Sequence, residues 1–317
     1  MRAVVIANDL LNVEQRPDLV AGPRDVVVNV RAAGLNAADL LQRRGFYPAP
    51  PGWPADIPGL EIAGDVAACG PGVSEWRVGD RVCAIVGGGG QATQCLVPAE
   101  HLIPIPSGLE FTSAGGFAEA FTTAYDALIR QARLAHGERV LISGAAGGVG
   151  SAALQIARAW GAIPVATVRD HAHDERLRAL GAHEIVTFDE IESLEAVSVV
   201  LELVGAAHFQ HAQKVLAPFG RVVVIGVGGG GRVEVDLLSV MSKRLTLTGS
   251  TLRARGRGEK ADIAREVTEN LVPLWASGRL HVPVAQTFPL DRVEAAYEAF
   301  ATPGKFGKII LTTNEGR

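Results

Sequence analysis

The pattern of apolar and polar positions divides the chain into two regions. Up to about residue 112, short apolar runs such as AVVIA, DRVCAIV and ATQCLVP alternate with Pro, Gly and Asp. This pattern is typical of a mostly β region built from short antiparallel strands. From Phe117 onward, helical periods alternate with strand periods, as in SAALQIARAWGA followed by PVATV. That alternation predicts an α/β region with a doubly wound parallel sheet.

The last part of the chain continues differently. Beyond about Arg253, the pattern predicts helical stretches around Ala261–Ser277 and Arg292–Phe300 and a final strand over Gly307–Thr312. We expect this part to return to the first region and close it. The sequence therefore predicts a first domain over residues 1–116 and a second domain over residues 117–253. Residues 254–317 are predicted to complete the first domain.

A glycine-rich turn between a strand and a helix carries the clearest chemical signal. The run VLIS leads into GAAGGVG, whose glycines let backbone N–H groups and a helix N-terminus approach a pyrophosphate. The usual G-x-G-x-x-G has Ala145 in place of its first glycine, so a purely structural turn is the alternative. The strand predicted at Ile163–Val168 supplies the βαβ context for a dinucleotide. The expected contacts are Ala146, Gly147, Gly148 and Val149.

Composition excludes several classes of function. The chain has 317 residues, 48% of them hydrophobic, and a net charge of −4, so it lacks the basic balance of a nucleic-acid-binding protein. No apolar stretch approaches the roughly 20 residues of a membrane helix, and the N-terminus has no secretory signal pattern. Three scattered cysteines are too few for a disulfide framework. These features predict a cytoplasmic protein with reduced thiols.

Several segments resemble one family, in register across nearly the whole chain. They are AAGLNAADLLQRRGFYPAPPG, IPGLEIAGDVAACGPGVSEWRVGDRV, EAFTTAYDAL, AAGGVGSAALQIARAWGA and GKFGKIIL. These segments are similar to the zinc-free quinone oxidoreductase branch of the medium-chain dehydrogenase/reductase superfamily. The resemblance implies a Rossmann-type cofactor domain, a mostly β GroES-like catalytic domain and hydride transfer from a nicotinamide.

The positions of metal ligands in this superfamily argue against zinc. Zinc-dependent relatives carry a Cys where this chain has Asn36, and a His-Glu pair where it has Leu60 and Glu61. Zinc requires thiolate, imidazole or carboxylate ligands, and one glutamate does not hold it. We therefore expect no metal, and we expect Glu61 to pair with an Arg or a backbone donor.

Two residues are candidates for the catalytic chemistry. Tyr47 lies in a Pro/Gly loop and could donate a hydrogen bond or proton to the reduced substrate, although it could equally be an aromatic lid, with solvent as the proton source. Tyr125 and Tyr297 fall in helical patterns, where packing explains them. The resemblance places Asn36 near the nicotinamide ribose and the substrate carbonyl. Its position also suits the N-cap of a helix that starts at Ala37.

Cofactor preference depends on the end of the second strand of the parallel sheet. An NAD enzyme would carry an acidic residue there, whereas this chain has Val168 followed by Arg169, whose guanidinium suits a 2′-phosphate. His171 or His173 could assist, while Asp170 would repel a phosphate. A solvated polar helix start is the alternative explanation of these residues, and the family tyrosine that touches the phosphate is Phe188 here. NADPH is the expected cofactor, with NADH as the alternative.

Further candidate contacts come from strand ends and from the resemblance. We expect backbone at the ends of two strands of the parallel sheet to hold the cofactor. The threonine of FTTAYDAL, a residue of the 250s and a lysine near the C-terminus are expected to contact it as well. The alternative for this lysine is a position at the surface. These residues are Val204, Gly205, Ile225, Gly226, Thr123, Leu252 and Lys308. The expected substrate cleft is lined by Phe46, Tyr47 and Trp53.

The function predicted is NADPH-dependent, zinc-independent reduction of a quinone or a similar conjugated carbonyl. The alternatives are an enone or enoyl-thioester reductase and a low-turnover NADPH-binding protein of the crystallin kind. The strand Arg244–Ser250 should be the last in its sheet, and an apolar edge strand needs a cover. Relatives pair this strand across a two-fold axis, so the resemblance implies a homodimer.

Overall fold

The computed structural model describes residues 1–313, which form two compact units. Residues 1–122 and the residues from 252 onward make up the first unit, and residues 123–251 make up the second. The returning C-terminal segment therefore belongs to the first unit. No helix within residues 1–313 combines the length and the apolar character that crossing a membrane requires.

The strands are short, as the punctuation by Pro and Gly predicts. Those of the described chain are β1 (Arg2–Ala7), β2 (Leu10–Gln15), β3 (Asp25–Gly34), β4 (Glu61–Cys69), β5 (Arg81–Ile85), β6 (Gln94–Pro98), β7 (Ile103–Pro104), β8 (Arg139–Ile142), β9 (Ile163–Val168), β10 (Glu184–Thr187), β11 (Val197–Glu202), β12 (Leu216–Val224), β13 (Thr246–Gly249), β14 (Val284–Pro289) and β15 (Lys308–Thr312).

The helices are concentrated in the second half of the chain. They are α1 (Ala37–Arg43), α2 (Phe111–Ala114), α3 (Ala118–Tyr125), α4 (Gly148–Ala159), α5 (Asp174–Leu180), α6 (Ala206–Ala212), α7 (Leu237–Lys243), α8 (Arg257–Asn270), α9 (Val272–Ala276) and α10 (Val293–Ala301). A π-helical turn continues α3 over Asp126–Gln131.

The first unit is built on a mixed sheet with the order β14-β15-β3-β4-β5-β7, to which β6 adds by pairing with β3. All of these pairs are antiparallel except β14 with β15. Alternate residues of β3, including Val26, Val28 and Val30, point into one apolar core. The last strand, β15, lies next to β3, so the end of the chain is held inside the sheet formed by its beginning.

The second unit contains a six-stranded sheet with the order β10-β9-β8-β11-β12-β13, and every pair in it is parallel. The chain runs outward from β8 to β10 and then returns to build β11 to β13 on the other side. This doubly wound sheet and the mostly β first unit confirm the predicted fold class. β13 is the edge strand, as the sequence predicts.

Two details of the C-terminal segment differ from the sequence prediction. The single helical stretch expected over Ala261–Ser277 is two helices, α8 and α9, because Pro273 lacks the N–H needed to continue α8. Strand β14 was not predicted, since VAQTFP has only a weak alternation of apolar and polar residues. Its pairing with β15 supplies what the local pattern lacks.

Candidate active site

The parallel sheet brings the predicted cofactor residues of the second unit to one edge. Ala146–Val149 follow β8, Arg169 follows β9, Val204 and Gly205 follow β11, and Ile225 and Gly226 follow β12. Because these strands are parallel, their carboxyl ends all lie at the same side of the sheet. The order of the chain reverses between β8 and β11, and open α/β sheets bind their ligands at such a switch point.

The start of α4 suits an anion. Its N-cap is Gly147, which makes no side-chain hydrogen bond to the first turn, so the helix begins without an internal acceptor for its N–H groups. A Cβ on Gly150 would lie 2.4 Å from the Gly144 carbonyl oxygen and 2.7 Å from the Ala145 Cα. Glycine is therefore required for this tight turn, which leaves the helix N-terminus open to a pyrophosphate.

A buried network that the sequence analysis did not identify shapes the next loop. The Glu202 carboxylate accepts hydrogen bonds from the backbone N–H groups of Val204 and Gly205, both at 2.8 Å, and from the Ser143 hydroxyl at 3.0 Å. Its other oxygen lies 2.6 Å from His208 Nδ1. The acidic residue at the end of the apolar strand β11 is the sequence feature that could have indicated this network. The carboxylate fixes the backbone of two predicted cofactor residues.

The network extends to the neighbouring strand. His208 Nε2 lies 3.2 Å from the Thr167 hydroxyl, and both residues are fully buried. Gly205 has a φ of 108°, a backbone conformation that favours glycine. A Cβ on Gly226 would approach the Leu203 carbonyl oxygen to 2.4 Å. Both predicted glycines are thus needed for close packing of the backbone at this edge.

The residues after β9 are solvent-accessible. Arg169 and Asp170 are exposed, and the Asp170 carboxylate accepts a hydrogen bond from the Ala172 N–H within its own turn. His171 Nδ1 lies 3.1 Å from the Asp174 carboxylate. His173 is the N-cap residue of α5. The Arg169 guanidinium is therefore the exposed cation immediately after the strand.

In the first unit, the partly buried Asn36 joins the buried Glu61 and Lys308 in one cluster. The Lys308 ammonium donates to Asn36 Oδ1 at 2.7 Å and to the Leu35 carbonyl at 2.9 Å, and it forms an ion pair with Glu61 Oε1 at 2.6 Å. Asn36 Nδ2 donates to Glu61 Oε1 at 3.1 Å, and the Glu119 N–H donates to Glu61 Oε2 at 2.9 Å. Glu61 thus has the predicted backbone donor, but its charged partner is a lysine and not an arginine.

This cluster corrects one alternative for Lys308, that it lies at the surface. Lys308 is only 3% exposed, so it is not a surface lysine. Two of its three donors are used by Asn36 and Leu35, and the Glu61 carboxylate neutralises its charge, so the fold already holds this ammonium in place. Asn36 is similarly engaged, because its two amide N–H groups bond to Glu61 and to the Gly34 carbonyl. The remaining capacity of the Asn36 amide is an acceptor lone pair on Oδ1.

Tyr47 is half-buried after the end of α1 and lies beside Arg253. The Arg253 guanidinium donates to the Tyr47 carbonyl at 2.8 Å and stands 4.9 Å from the centre of its ring. It also donates to Gln42 Oε1 at 2.6 Å and to the Gly87 carbonyl at 2.8 Å. Burial, and then the charge of Glu119, raise the pKa of Tyr47, so its phenol stays protonated at neutral pH. It is therefore available as a donor.

The other predicted contacts have different exposures. Phe46 is 77% exposed, whereas Trp53 is partly buried against the core of the first unit. Leu252 and Thr123 are each 6% exposed. Thr123 lies in α3 and is the first residue of the second unit. Trp53 lies on the wall of a cavity within the first unit, and Phe46 and Tyr47 do not.

Asp39 is a second buried acid that the sequence analysis did not single out. It is 1% exposed and accepts hydrogen bonds from the N–H groups of Asn36 at 2.8 Å and Gly59 at 3.2 Å. Desolvation by burial outweighs these bonds and raises the pKa of Asp39 to about 7. Its position at the start of α1, three residues after the N-cap, is the sequence feature that could have indicated its hydrogen bond to the N-cap backbone.

The raised pKa of Asp39 predicts a pH-dependent penalty on folding. Between pH 4 and 7 the folded protein binds a proton that the unfolded chain has lost, so this residue makes the protein less stable as the pH rises through that window. At about 1.4 kcal/mol per pKa unit, a shift of roughly three units amounts to about 4 kcal/mol. Asp39→Asn should remove this dependence, as measured by urea unfolding at several pH values.

The quantity to compare is the difference in the free energy of unfolding between Asp39→Asn and the wild type, and how this difference changes with pH. Asn keeps only one acceptor oxygen for two N–H groups, which costs about 1 kcal/mol at every pH and does not alter the slope. Asp9→Asn, at an exposed turn residue with φ of 62° that Asn tolerates, is the matched control and should leave the slope unchanged. If the unfolding free energies of Asp39→Asn and the wild type differ by the same amount at every pH from 4 to 8, the raised pKa is contradicted.

Comparison with known protein families identifies both parts of the chain. Residues 22–133 match the alcohol dehydrogenase GroES-like domain, and residues 148–269 match the zinc-binding dehydrogenase family. A crystal structure described as an NAD-dependent alcohol dehydrogenase is similar, with a TM-score of 0.87 and 27% identity; it covers 99% of this chain and 100% of its own.

Curated relatives of similar length identify the branch of the dehydrogenase superfamily. Quinone oxidoreductase from Homo sapiens is 30% identical over 302 residues, covering 91% of this chain and 90% of the relative. Quinone oxidoreductase from Rattus norvegicus is 30% identical over 297 residues, covering 90% and 88%. These matches and the two domain families confirm the resemblance found in the sequence. The chain therefore belongs to the quinone oxidoreductase-like branch of the medium-chain dehydrogenase/reductase superfamily, and it is an oxidoreductase of a family that binds a nicotinamide cofactor.

Proposed function

We propose that this enzyme reduces quinones or similar conjugated carbonyls with NADPH and without zinc. The observation that carries the proposal is the Glu61–Lys308 ion pair. At the position where zinc-dependent relatives bind their metal, this chain has the neutral side chains of Asn36 and Leu60 and an internal ammonium. Without a metal to polarise an alcohol, the chemistry that remains for the family is hydride transfer to an electron-poor acceptor.

The donor set at this position does not fit zinc. Asn36 supplies an amide, Leu60 supplies no ligand atom, and both oxygens of Glu61 accept hydrogen bonds from Lys308, Asn36 or Glu119. Binding zinc to Glu61 would require the Lys308 ammonium, which is held 2.6 Å away, to move. Among the described residues, no group of three or more His, Cys, Asp or Glu side chains forms a metal site elsewhere.

The residues of the first unit can supply the polar part of the reaction. When bound, the nicotinamide provides the hydride. Tyr47, whose phenol is protonated at neutral pH and whose pKa burial raises further, is the donor for the oxygen that gains negative charge. Asn36, with its amide N–H groups already used, acts as an acceptor and holds the Lys308 ammonium. Arg253 orients Tyr47 through the backbone carbonyl and the ring.

Steady-state oxidation of NADPH with 1,4-naphthoquinone, phenanthrenequinone and a set of enones tests this function. We expect turnover with the quinones that is unchanged by a metal chelator. Tyr47→Phe should lower kcat about 100-fold or more, as loss of a general acid does, with little change in the KM for NADPH. Absence of turnover with every acceptor would instead favour a low-turnover binding protein, and turnover confined to enones would favour the enone reductase.

The preference for NADPH is proposed from the end of β9. Val168, the last residue of this strand, is apolar, so no carboxylate stands there to bind a ribose 2′-hydroxyl. The exposed guanidinium of Arg169 follows directly and suits a 2′-phosphate. His171 is held by Asp174 and His173 starts α5, which makes Arg169 the principal contact.

Arg169→Ala should raise the KM for NADPH at least tenfold and leave the KM for NADH almost unchanged, because only NADPH carries the phosphate. Kinetics with both cofactors at saturating quinone measure the two values. Arg178→Ala, which removes an exposed arginine from the neighbouring helix α5, is the matched control. Equal increases for both cofactors in Arg169→Ala would refute the phosphate contact.

We also propose that the protein is a homodimer that pairs through β13. This strand has a single neighbour, β12, and its outer edge has backbone groups available for pairing. Apolar side chains of this unit are unusually exposed: Phe219, Leu237, Leu238, Met241 and Leu247 are between 54% and 75% exposed. Such a surface beside an open strand is typical of a subunit interface.

Sedimentation velocity at micromolar concentration tests the dimer. We expect the wild-type chain to sediment as a dimer and Leu247→Lys, on β13, to sediment as a monomer, because a charge on the edge opposes strand pairing. Leu10→Lys changes a leucine of similar exposure on β2 of the first unit and should remain dimeric. A monomeric wild-type protein would overturn the proposal.

The cysteines suit the cytoplasm that we propose as the compartment. Cys69, Cys83 and Cys95 are free, and burial raises the pKa of Cys95 to about 12 and that of Cys83 still further. Buried thiols of this kind are protonated and unreactive at neutral pH. A chain whose three cysteines are all unpaired suits a reducing environment.

A further inference from the structure

A cavity of about 650 Å³ within the first unit is lined by two buried cations that form no ion pair with the described carboxylates. One wall is apolar and includes the Trp53 indole and Pro54. Another wall includes Arg253 and Lys260, which are 3% and 8% exposed. A cavity of this volume, with apolar walls and a few convergent polar groups, has the character of a small-molecule site.

The cations of this cavity differ in how they are neutralised. Arg257 pairs with Glu100 at 2.5 Å, and Arg255 pairs with Glu259 at 3.2 Å. In contrast, neither the Arg253 guanidinium nor the Lys260 ammonium forms an ion pair with a carboxylate of residues 1–313, although the charge of Glu119 acts on both from a distance. The two unpaired cations are thus also the two most deeply buried.

Lys260 has hydrogen-bonding capacity to spare. Its ammonium donates to the Arg253 carbonyl at 2.7 Å and stands 5.9 Å from the centre of the Trp53 ring. One acceptor uses one of three donors, so two are left for a ligand. Burial lowers the pKa of Lys260, and the charge of Glu119 offsets only part of this cost of holding the ammonium away from water.

His101 is a second, independent unsatisfied group on the cavity wall. It is 5% exposed, and its Nε2 lies 2.9 Å from the Arg257 carbonyl, so Nε2 carries the proton and donates. Its Nδ1 is buried and has no hydrogen-bond partner. With Nε2 protonated, Nδ1 offers a lone pair, so it can accept a hydrogen bond from a ligand O–H or N–H group or from water, but it does not bind an anionic oxygen.

We infer that this cavity binds the anionic group of the substrate, a carboxylate, sulfonate or phosphate held by Lys260 beside Arg253, with the apolar part of the molecule against Trp53. An anion supplies the directly paired charge that the two buried cations lack, and the indole and proline wall receives a ring or chain. Arg253 connects this cavity to the candidate donor, since its guanidinium also holds the Tyr47 carbonyl. The inference rests on the proposed quinone reduction and names its substrate class as acidic conjugated carbonyls.

Binding of 2-naphthoate and the neutral 2-naphthamide, measured by calorimetry, tests the site without turnover. We expect the naphthoate to bind at least tenfold more tightly than the amide and to compete with 1,4-naphthoquinone-2-sulfonate in the reductase assay. Lys260→Met should abolish the preference for the anion, and Lys260→Arg, which keeps the charge, should retain most of it. The Arg variant separates loss of charge from any misfolding of the Met variant.

Lys305→Met is the matched control. Like Lys260, Lys305 donates to a backbone carbonyl, that of Phe300 at 2.5 Å, and lies over an aromatic ring, but it is outside the cavity lining. It should preserve the preference for naphthoate. Equal binding of naphthoate and amide by the wild-type protein, or naphthoate that does not compete with the quinone, would overturn the inference. Naphthoate binding without quinone turnover would sustain the anion site while refuting the proposed function.

Discussion

The first unit depends on a buried ion pair between residues far apart in the chain. Lys308 in the last strand neutralises Glu61 in β4 and holds the amide of Asn36 at the start of α1. Because both charges are buried, removing one partner would leave the other unpaired, which typically costs 3–5 kcal/mol. The pair fastens the returning segment to the sheet formed by the first part of the chain. It also determines what Asn36 can do, because the amide is already committed to the fold.

The second unit uses a carboxylate for a comparable purpose. Glu202 receives the N–H groups of Val204 and Gly205, and His208 satisfies its other oxygen. A loop at the carboxyl edge of a parallel sheet would otherwise have these N–H groups unpaired. Together with the uncapped start of α4, this arrangement gives the edge a fixed backbone with donors available for a dinucleotide. Both units thus contain a buried acid that fixes the geometry of neighbouring polar groups.

Buried charge also separates structural residues from ligand-binding ones. Lys308 has two hydrogen-bond acceptors and a carboxylate counter-ion, whereas Lys260 has one acceptor and an aromatic ring. The first is complete within the fold, and the second is complete only with a ligand. The same contrast distinguishes Asn36, whose amide protons are used, from Tyr47, whose phenol is protonated and only half-buried. Lys308 and Asn36 therefore support the fold, whereas Lys260 and Tyr47 remain able to contact a ligand.

Local pattern was sufficient for the fold class, the glycine turn after β8 and the edge position of β13, because each depends on periodicity or on backbone freedom within a few residues. Membership of the family also followed from the sequence, since its motifs recur in register along both domains. The partners of Lys308 and Arg253 could not be read in the same way. Asn36 and Gln42 are 272 and 211 residues away from them in sequence. Which lysine is saturated and which remains open is decided only when the tertiary structure brings acceptors to one and leaves the other beside a cavity, because a charge is satisfied by its neighbours in space.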